Sequence, residues 1–393
     1  MNNSKMLIDV GSTYFKVATQ DKISHHFRNF DKDIYDDLLF KCGDDLKGCP
    51  KEDIQICSSA NGGLSTLIIG LTESFSLKYA SNIAYNSGIN IIETVVYSQI
   101  NSYPIPSEML DVVIVVGAID SVENVYDQTL IDYLAKLKYS NIVYVGSATQ
   151  HNYLKENLPN IILLPNIIDN KLKMVEDDLK EYLTNLYQAD IMGKEDIKRL
   201  YDLTSNQIFS TPYIVNKSLP LIHTKLDVAD PFIVIDIGGA TTDIHYSKDL
   251  VDDNIITNNE YDRLVFKKLG VYKSRESLVH TAKNNEFVYE LLAHLNTTEN
   301  MLDESGEKAT KLLMQLSIFL VLYKISHHHK SYLNIKLDTL NSIVLTGGIT
   351  KVLENEEMED IIAFFYKKLL NYETTPTLVV DKDYAIWTLG MDK

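Results

Sequence analysis

Ile233-Val234-Ile235-Asp236-Ile237-Gly238-Gly239-Ala240-Thr241-Thr242-Asp243-Ile244 decides the fold, because Met6-Leu7-Ile8-Asp9-Val10-Gly11-Ser12-Thr13 near the start of the chain echoes it. Each copy reads as an apolar strand, then Asp-x-Gly, then small or hydroxyl residues, then a returning strand of alternating pattern. The copies lie much farther apart than the roughly 20–50-residue period of a solenoid, so one device is used twice, once in each half.

The device suits a nucleotide phosphate. Glycines let a hairpin turn approach an anion closely, and successive turn N–H groups form a concave nest for phosphate oxygens. The hydroxyls of Ser12, Thr13, Thr241 and Thr242 add donors, and Lys16 on the returning strand places an ammonium at the same turn. Carboxylates beside phosphates repel them unless a cation lies between, so Asp9 and Asp236 imply Mg²⁺, which prefers oxygen ligands and keeps several waters. A third element follows: the strand Ser342–Leu345 runs into Thr346-Gly347-Gly348-Ile349-Thr350, where a Gly-Gly turn lets a flat group such as adenine lie against the backbone. No G-x-x-x-x-G-K-[ST] or G-x-G-x-x-G run occurs, which excludes the P-loop and argues against a dinucleotide site.

The order hairpin, hairpin, strand-Gly-Gly resembles the superfamily of actin, the heat-shock chaperone ATPases and the sugar kinases. The resemblance implies an α/β, two-lobed actin/Hsp70-like ATPase fold, a duplicated ribonuclease H-like architecture that binds ATP with Mg²⁺. It also implies roles: Asp9 and Asp236 hold hydrated Mg²⁺; Gly11, Ser12, Thr13 and Lys16 grip phosphates from one lobe; Gly238, Gly239, Thr241 and Thr242 do so from the other. Gly347 and Gly348 flank the nucleoside, Asp243 orients the water or the turn, and Asp120 is a candidate for positioning attacking water. A closer resemblance rests on Cys57-Ser58-Ser59-Ala60-Asn61-Gly62-Gly63-Leu64, Asp236–His245 and the closing Asp383-Tyr384-Ala385-Ile386. In that order they resemble the glutamate mutase accessory proteins (GlmL, also called MutL). This implies ATP-driven reactivation of an adenosylcobalamin-dependent mutase by exchange of damaged cobalamin, the client being glutamate mutase or, by resemblance to an ornithine-degradation branch, D-ornithine aminomutase.

The rest of the chain frames these motifs. Its 393 residues, 45% apolar and 23% charged, are enough for two or three domains. A first lobe is expected over 1–225 and a second over 226–393; the parallel α/β stretch 110–165 either belongs to the first lobe or forms its own insertion in it, and the C-terminal tail either stays with the second lobe or returns to the first. Three strand–helix units are read from Val112–Val116, Ile142–Val145 and Ile161–Leu164. Thr211–Asp230, holding Pro212 and Pro220, reads as a polar connection between lobes. A net charge of −17 makes nucleic acid and anionic membrane poor partners. Cys42, Cys49 and Cys57 show no CxxC spacing and read as free thiols; with no signal segment and no spanning helix, the expected location is cytoplasmic. The stretch Leu312–Tyr323 reads as a buried helix. His25-His26 and His327-His328-His329 read as solvated positions, and His245 as a surface strand residue. The same motif order is shared by two other classes: a small-molecule kinase of the same superfamily and a nucleotide-gated scaffold.

Overall fold

A computed structural model describes residues 5–19, 22–59, 63–85, 87, 89–123, 125–193, 195–251, 261–328 and 333–391. The chain divides into two compact units, one of Met1–Ala60, Arg199–Asp252 and Tyr261–Lys393, the other built on Asn61–Lys198. The motif residues Ala60, Asn61 and Gly62 lie outside the described residues, as does His329.

The first unit opens with strands β1 (Met6–Val10), β2 (Tyr14–Ala18), β3 (Ile23–Phe27) and β4 (Ile54–Ser58). All five residues of β1 are buried, as befits a central strand covered on both faces. The second unit contributes β5 (Leu64–Gly70), β6 (Ile89–Val96), β7 (Leu110–Val116), β8 (Tyr139–Val145) and β9 (Ile162–Leu164). The chain then returns through β10 (Phe209–Ser210), β11 (Phe232–Ile237), β12 (Thr242–Ser247), β13 (Tyr261–Phe266), β14 (Ser342–Gly347) and β15 (Thr377–Val380).

Both sheets of the first unit share one connectivity. The orders are β3-β2-β1-β4-β10 and β13-β12-β11-β14-β15. In each, the first three strands form an antiparallel meander and the last two run parallel to the first. Strand order 3-2-1-4-5, used twice, is the duplicated ribonuclease H-like α/β fold of the actin-like ATPases. The Asp-x-Gly turns join strands 1 and 2 of each copy, and the Gly-Gly turn ends strand 4 of the second.

The second unit carries one all-parallel sheet of order β6-β5-β7-β8-β9. Leu67, Ile69, Val113, Val115, Tyr133 and Tyr144 belong to its core. This is a doubly wound arrangement with a reversal of strand order between β5 and β7. It contains the three strand–helix units read from sequence and two strands, β5 and β6, that were not.

The polar connection expected over Thr211–Asp230 is instead largely helical: a helix spans Thr211–Ser218 and a tighter turn follows over Leu219–Thr224. Pro212 and Pro220 sit in the first turn of each, where a missing N–H costs no hydrogen bond. The helix Glu307–Ser326 is long and apolar enough to cross a membrane by length and composition, but about two-thirds of its apolar window is buried inside the fold. The C-terminal helix Ile386–Met391 packs against Thr211–Ser218, sharing a cluster with Leu7, Ile214, Leu219 and Trp387.

Candidate functional site

In the first turn, Gly11 N–H donates to Tyr14 O at 2.9 Å, closing the hairpin and placing Asp9 opposite Lys16 across β1 and β2. Lys16 Nζ lies 2.8 Å from Asp9 Oδ2 with both side chains largely buried. Burial alone would lower the lysine's pKa, but Asp9 and Asp236 more than offset it and hold the ammonium above its usual value. The other oxygen, Asp9 Oδ1, accepts from Thr211 Oγ1 at 2.5 Å and from Cys57 Sγ at 3.5 Å. Burial, with Asp9 next, pushes the Cys57 thiol well up, so this cysteine is a neutral donor. Arg28 braces the turn from behind, donating through Nη1 to Gly11 O at 3.2 Å and Ser12 O at 3.3 Å.

The second turn repeats the closure, with Gly238 N–H donating to Thr241 O at 2.9 Å and Asp236 paired with Asp243 across β11 and β12. Arg263 of β13 donates through Nε and Nη2 to Asp243 Oδ1 at 2.9 and 2.5 Å, while Thr241 Oγ1 donates to Asp243 Oδ2 at 3.0 Å. Asp243 is thus fully engaged in holding the turn. Thr242 is buried and its hydroxyl donates to Leu269 O at 2.9 Å, so it is committed to packing behind the turn. Asp236 accepts no such partner set: burial first, then Asp243, Asp9 and Asp381, push its carboxyl up to about 6 against the pull of Lys16.

The two turns meet. A Cβ on Gly239 would stand 1.9 Å from Thr13 Oγ1 and 3.4 Å from Ser12 Oγ. The Gly-Gly turn joins them: Gly347 has φ +92°, a conformation that favours glycine, and a Cβ there would stand 2.6 Å from Asp236 Oδ1. Gly348 faces the Tyr14 ring, with Cε2 3.6 Å from its Cβ position. Asp9, Gly11, Ser12, Thr13, Lys16, Asp236, Gly238, Gly239, Thr241, Asp243, Gly347 and Gly348 are therefore gathered around one locus. Asp120 belongs to the other unit, where its carboxylate accepts from Asn166 Nδ2 at 3.2 Å.

Three placements differ from the sequence reading. His245 is not a surface residue: it is fully buried, its Nδ1 3.2 Å from Asn216 Oδ1. Its position on the central face of β12, between β11 and β13, covers it. His25 is half-buried, its ring 4.6 Å from that of Tyr384 and its Nε2 3.2 Å from Asp383 O. Asp381, not singled out from sequence, ends β15 as an anchor, accepting from Thr346 Oγ1, Ala385 N–H and Ile386 N–H. An apolar strand ending in Asp was its only local signal.

The residues present fit a metal–nucleotide. Thr13 Oγ1 is buried and makes no hydrogen bond, at the point where both glycine turns converge. Four carboxylates, Asp9, Asp236, Asp243 and Asp381, face two close cations, Lys16 and Arg263; burial first, and then the neighbouring carboxylates, raise the pKa of Asp236. Among the described residues no three metal-ligating side chains converge.

Comparison with known proteins agrees with the motif reading. Protein MutL of Clostridium tetanomorphum is 23% identical over 267 residues. That match covers 61% of this chain and 57% of the relative, so it spans little more than half of the curated protein's length. Among solved structures, the ROK hexokinase of Thermus thermophilus (8% identity, 98% of this chain and 96% of that one, TM-score 0.29) and the PilM–PilN type IV pilus biogenesis complex (8%, 98% and 96%, TM-score 0.34) are distant neighbours. The model of the MutL protein family matches residues 5–391, and the chain belongs to that family.

Proposed function

We propose that the first unit binds MgATP between its two hairpins and that the protein is an ATP-dependent reactivating accessory of an adenosylcobalamin-dependent amino-acid mutase. The observation that carries the nucleotide reading is the meeting of the turns, with Gly239 and the unpartnered Thr13 hydroxyl at one point. Gly11, Ser12 and Thr13 would hold phosphate oxygens from the first hairpin and Gly238, Gly239 and Thr241 from the second, with Gly347 and Gly348 against the nucleoside. Asp9 and Asp236 would hold Mg²⁺ through water, and the ion supplies neutralisation of phosphate charge. Lys16 pairs with Asp9 and orients it, and adds a positive charge beside the phosphates. Asp243, tied to Arg263 and Thr241, orients the turn rather than a water molecule, and Thr242 supports it from behind.

Halves 1–225 and 226–393, each carrying one hairpin, act as the lobes. A nucleotide touching both hairpins shifts the lobe equilibrium by its differential affinity for the closed state and by no more. Family membership supports a mutase client, glutamate mutase or D-ornithine aminomutase, from which damaged cobalamin is exchanged in the cytoplasm. The test is phosphate release from MgATP by the protein and by Asp9→Ala and Asp236→Ala, with and without a mutase inactivated by hydroxocobalamin. Slow hydrolysis lost in both variants, with mutase activity recovered in fresh adenosylcobalamin, supports the reading. Hydrolysis without recovery removes these clients and keeps the ATPase; absence of ATP binding removes the whole reading.

A further inference from the structure

Tyr384 stands out in the first unit. It is a non-glycine residue at φ +51°, in the left-handed region that costs a side chain energy, yet its ring is buried. The strained turn is held in place from outside: Tyr384 N–H donates to Asp381 O at 3.2 Å, and the Asp381 carboxylate accepts from Ala385 N–H at 2.7 Å and Ile386 N–H at 3.2 Å. What the conformation achieves is the placing of an aromatic ring beside two ammonium groups. Lys16 Nζ lies 4.8 Å from the ring centroid and Lys351 Nζ 5.2 Å. One lysine follows the first phosphate turn and the other follows the Gly-Gly turn, so the ring joins cations from both sheets. Lys351 pairs with no carboxylate among the described residues. Two like charges on one ring repel each other, and a ring quadrupole attracts both without neutralising either. Lys16 is paired with Asp9 whereas Lys351 has no carboxylate partner among the described residues, so the cluster keeps a positive charge that an anion beside the pair would meet.

We propose that Tyr384 is a positioning residue that holds Lys16 and Lys351 toward the phosphates of a bound nucleotide, so that the site distinguishes nucleoside triphosphate from nucleoside by this ring-and-two-lysine cluster. The inference rests on the nucleotide reading above. It concerns phosphate number, whereas that reading concerns whether nucleotide binds at all.

The test measures the affinity of the full chain for MgATP and for adenosine, in wild type, Tyr384→Phe, Tyr384→Leu and Lys351→Met. Tyr384→Phe keeps the ring and is expected to bind MgATP within about twofold of wild type. Tyr384→Leu and Lys351→Met are expected to weaken MgATP about tenfold while leaving adenosine unchanged. A merely structural role for Tyr384 would weaken both ligands together, and that result overturns the proposal. Lys351 is exposed, so its variant reports even where Tyr384→Leu fails to fold; unchanged MgATP affinity in Lys351→Met also overturns it. Wild type that binds neither ligand removes the nucleotide reading and this inference together; wild type that binds MgATP while Lys351→Met does so equally removes the inference alone.

Discussion

Thr13 Oγ1 stands 1.9 Å from the point a Cβ on Gly239 would occupy, so the hairpins of the two sheets approach as closely as a side chain on one of them permits. Gly239→Ala must push them apart. The expected result is loss of MgATP affinity by about tenfold or more, equivalent to ~1.4 kcal/mol. Removing the hydroxyl relieves the closest contact, leaving Thr13 Cβ at 3.3 Å and Ser12 Oγ at 3.4 Å as the next neighbours. Thr13→Ala/Gly239→Ala should therefore regain the thermal stability that Gly239→Ala alone loses, although not the affinity that needs the hydroxyl. Melting curves and titration calorimetry on the three variants check this.

Asp243 and Arg263 form a buried pair on adjacent strands, each about 6–7% exposed. Removing the cation leaves the Asp243 carboxylate buried and unpaired, opposite Asp236 on the adjacent strand. Arg263→Met is expected to cost about 3–5 kcal/mol, because the uncompensated charge is the expensive species. Asp243→Leu/Arg263→Met should cost less than the sum of the single changes. Denaturant titration of a double-mutant cycle measures the difference.

How much of this was legible depended on how local each signal is. The two Asp-x-Gly hairpins and the Gly-Gly turn are contiguous runs, and glycine after an apolar strand marks them without reference to anything distant. The edge strand β3 was not seen, since Ile23-Ser24-His25-His26-Phe27 has no alternation and its side chains are half-buried or exposed. The helix at Thr211 was hidden by its prolines, which mark a helix start as readily as a loop. The residues that tune the site were least visible. Thr211 meets Asp9 across 202 positions of chain, and Tyr384 meets Lys16 only through the packing of the C-terminal segment. Sequence spacing carries no trace of such pairings.

His25 gives an acid-sensitive contribution. Burial first, then Lys351, lower its pKa to about 4, with Lys16 acting in the same direction and the Asp383 carbonyl and carboxylate opposing. The unfolded chain carries a histidine that titrates near 6.5. Between about pH 6.5 and 4 the unfolded state takes up a proton that the folded state refuses, so stability is full above 6.5, falls through this window and levels off below it. His25→Gln should flatten that segment of the stability curve. Urea denaturation of both proteins at pH 7.5, 5.5 and 4.5 tests it.

The same substitution should have opposite signs at two glycines. Gly146, just past β8, would place a Cβ 2.4 Å from Gly117 Cα and 2.6 Å from Gly117 N. Tyr144 Oη would stand 2.7 Å away as well, but the two nearest atoms are backbone and cannot rotate away, so strands β7 and β8 must separate where they leave the sheet. Gly146→Ala is expected to cost ~1–3 kcal/mol, toward the upper end because nothing flexible yields. Gly43 lies inside the helix Ile34–Leu46 with nothing within 4 Å of its Cβ position. There the added methyl meets no neighbour and the unfolded chain loses backbone freedom, so Gly43→Ala should stabilise its helix by about 0.5–1 kcal/mol. Hydrogen exchange separates the two effects because it reads each element in place. Gly146→Ala should lower amide protection in β7 and β8, and Gly43→Ala should raise it along Ile34–Leu46. Protection unchanged in β7 and β8 would mean that the close Gly117–Gly146 approach is not what holds those strand ends together.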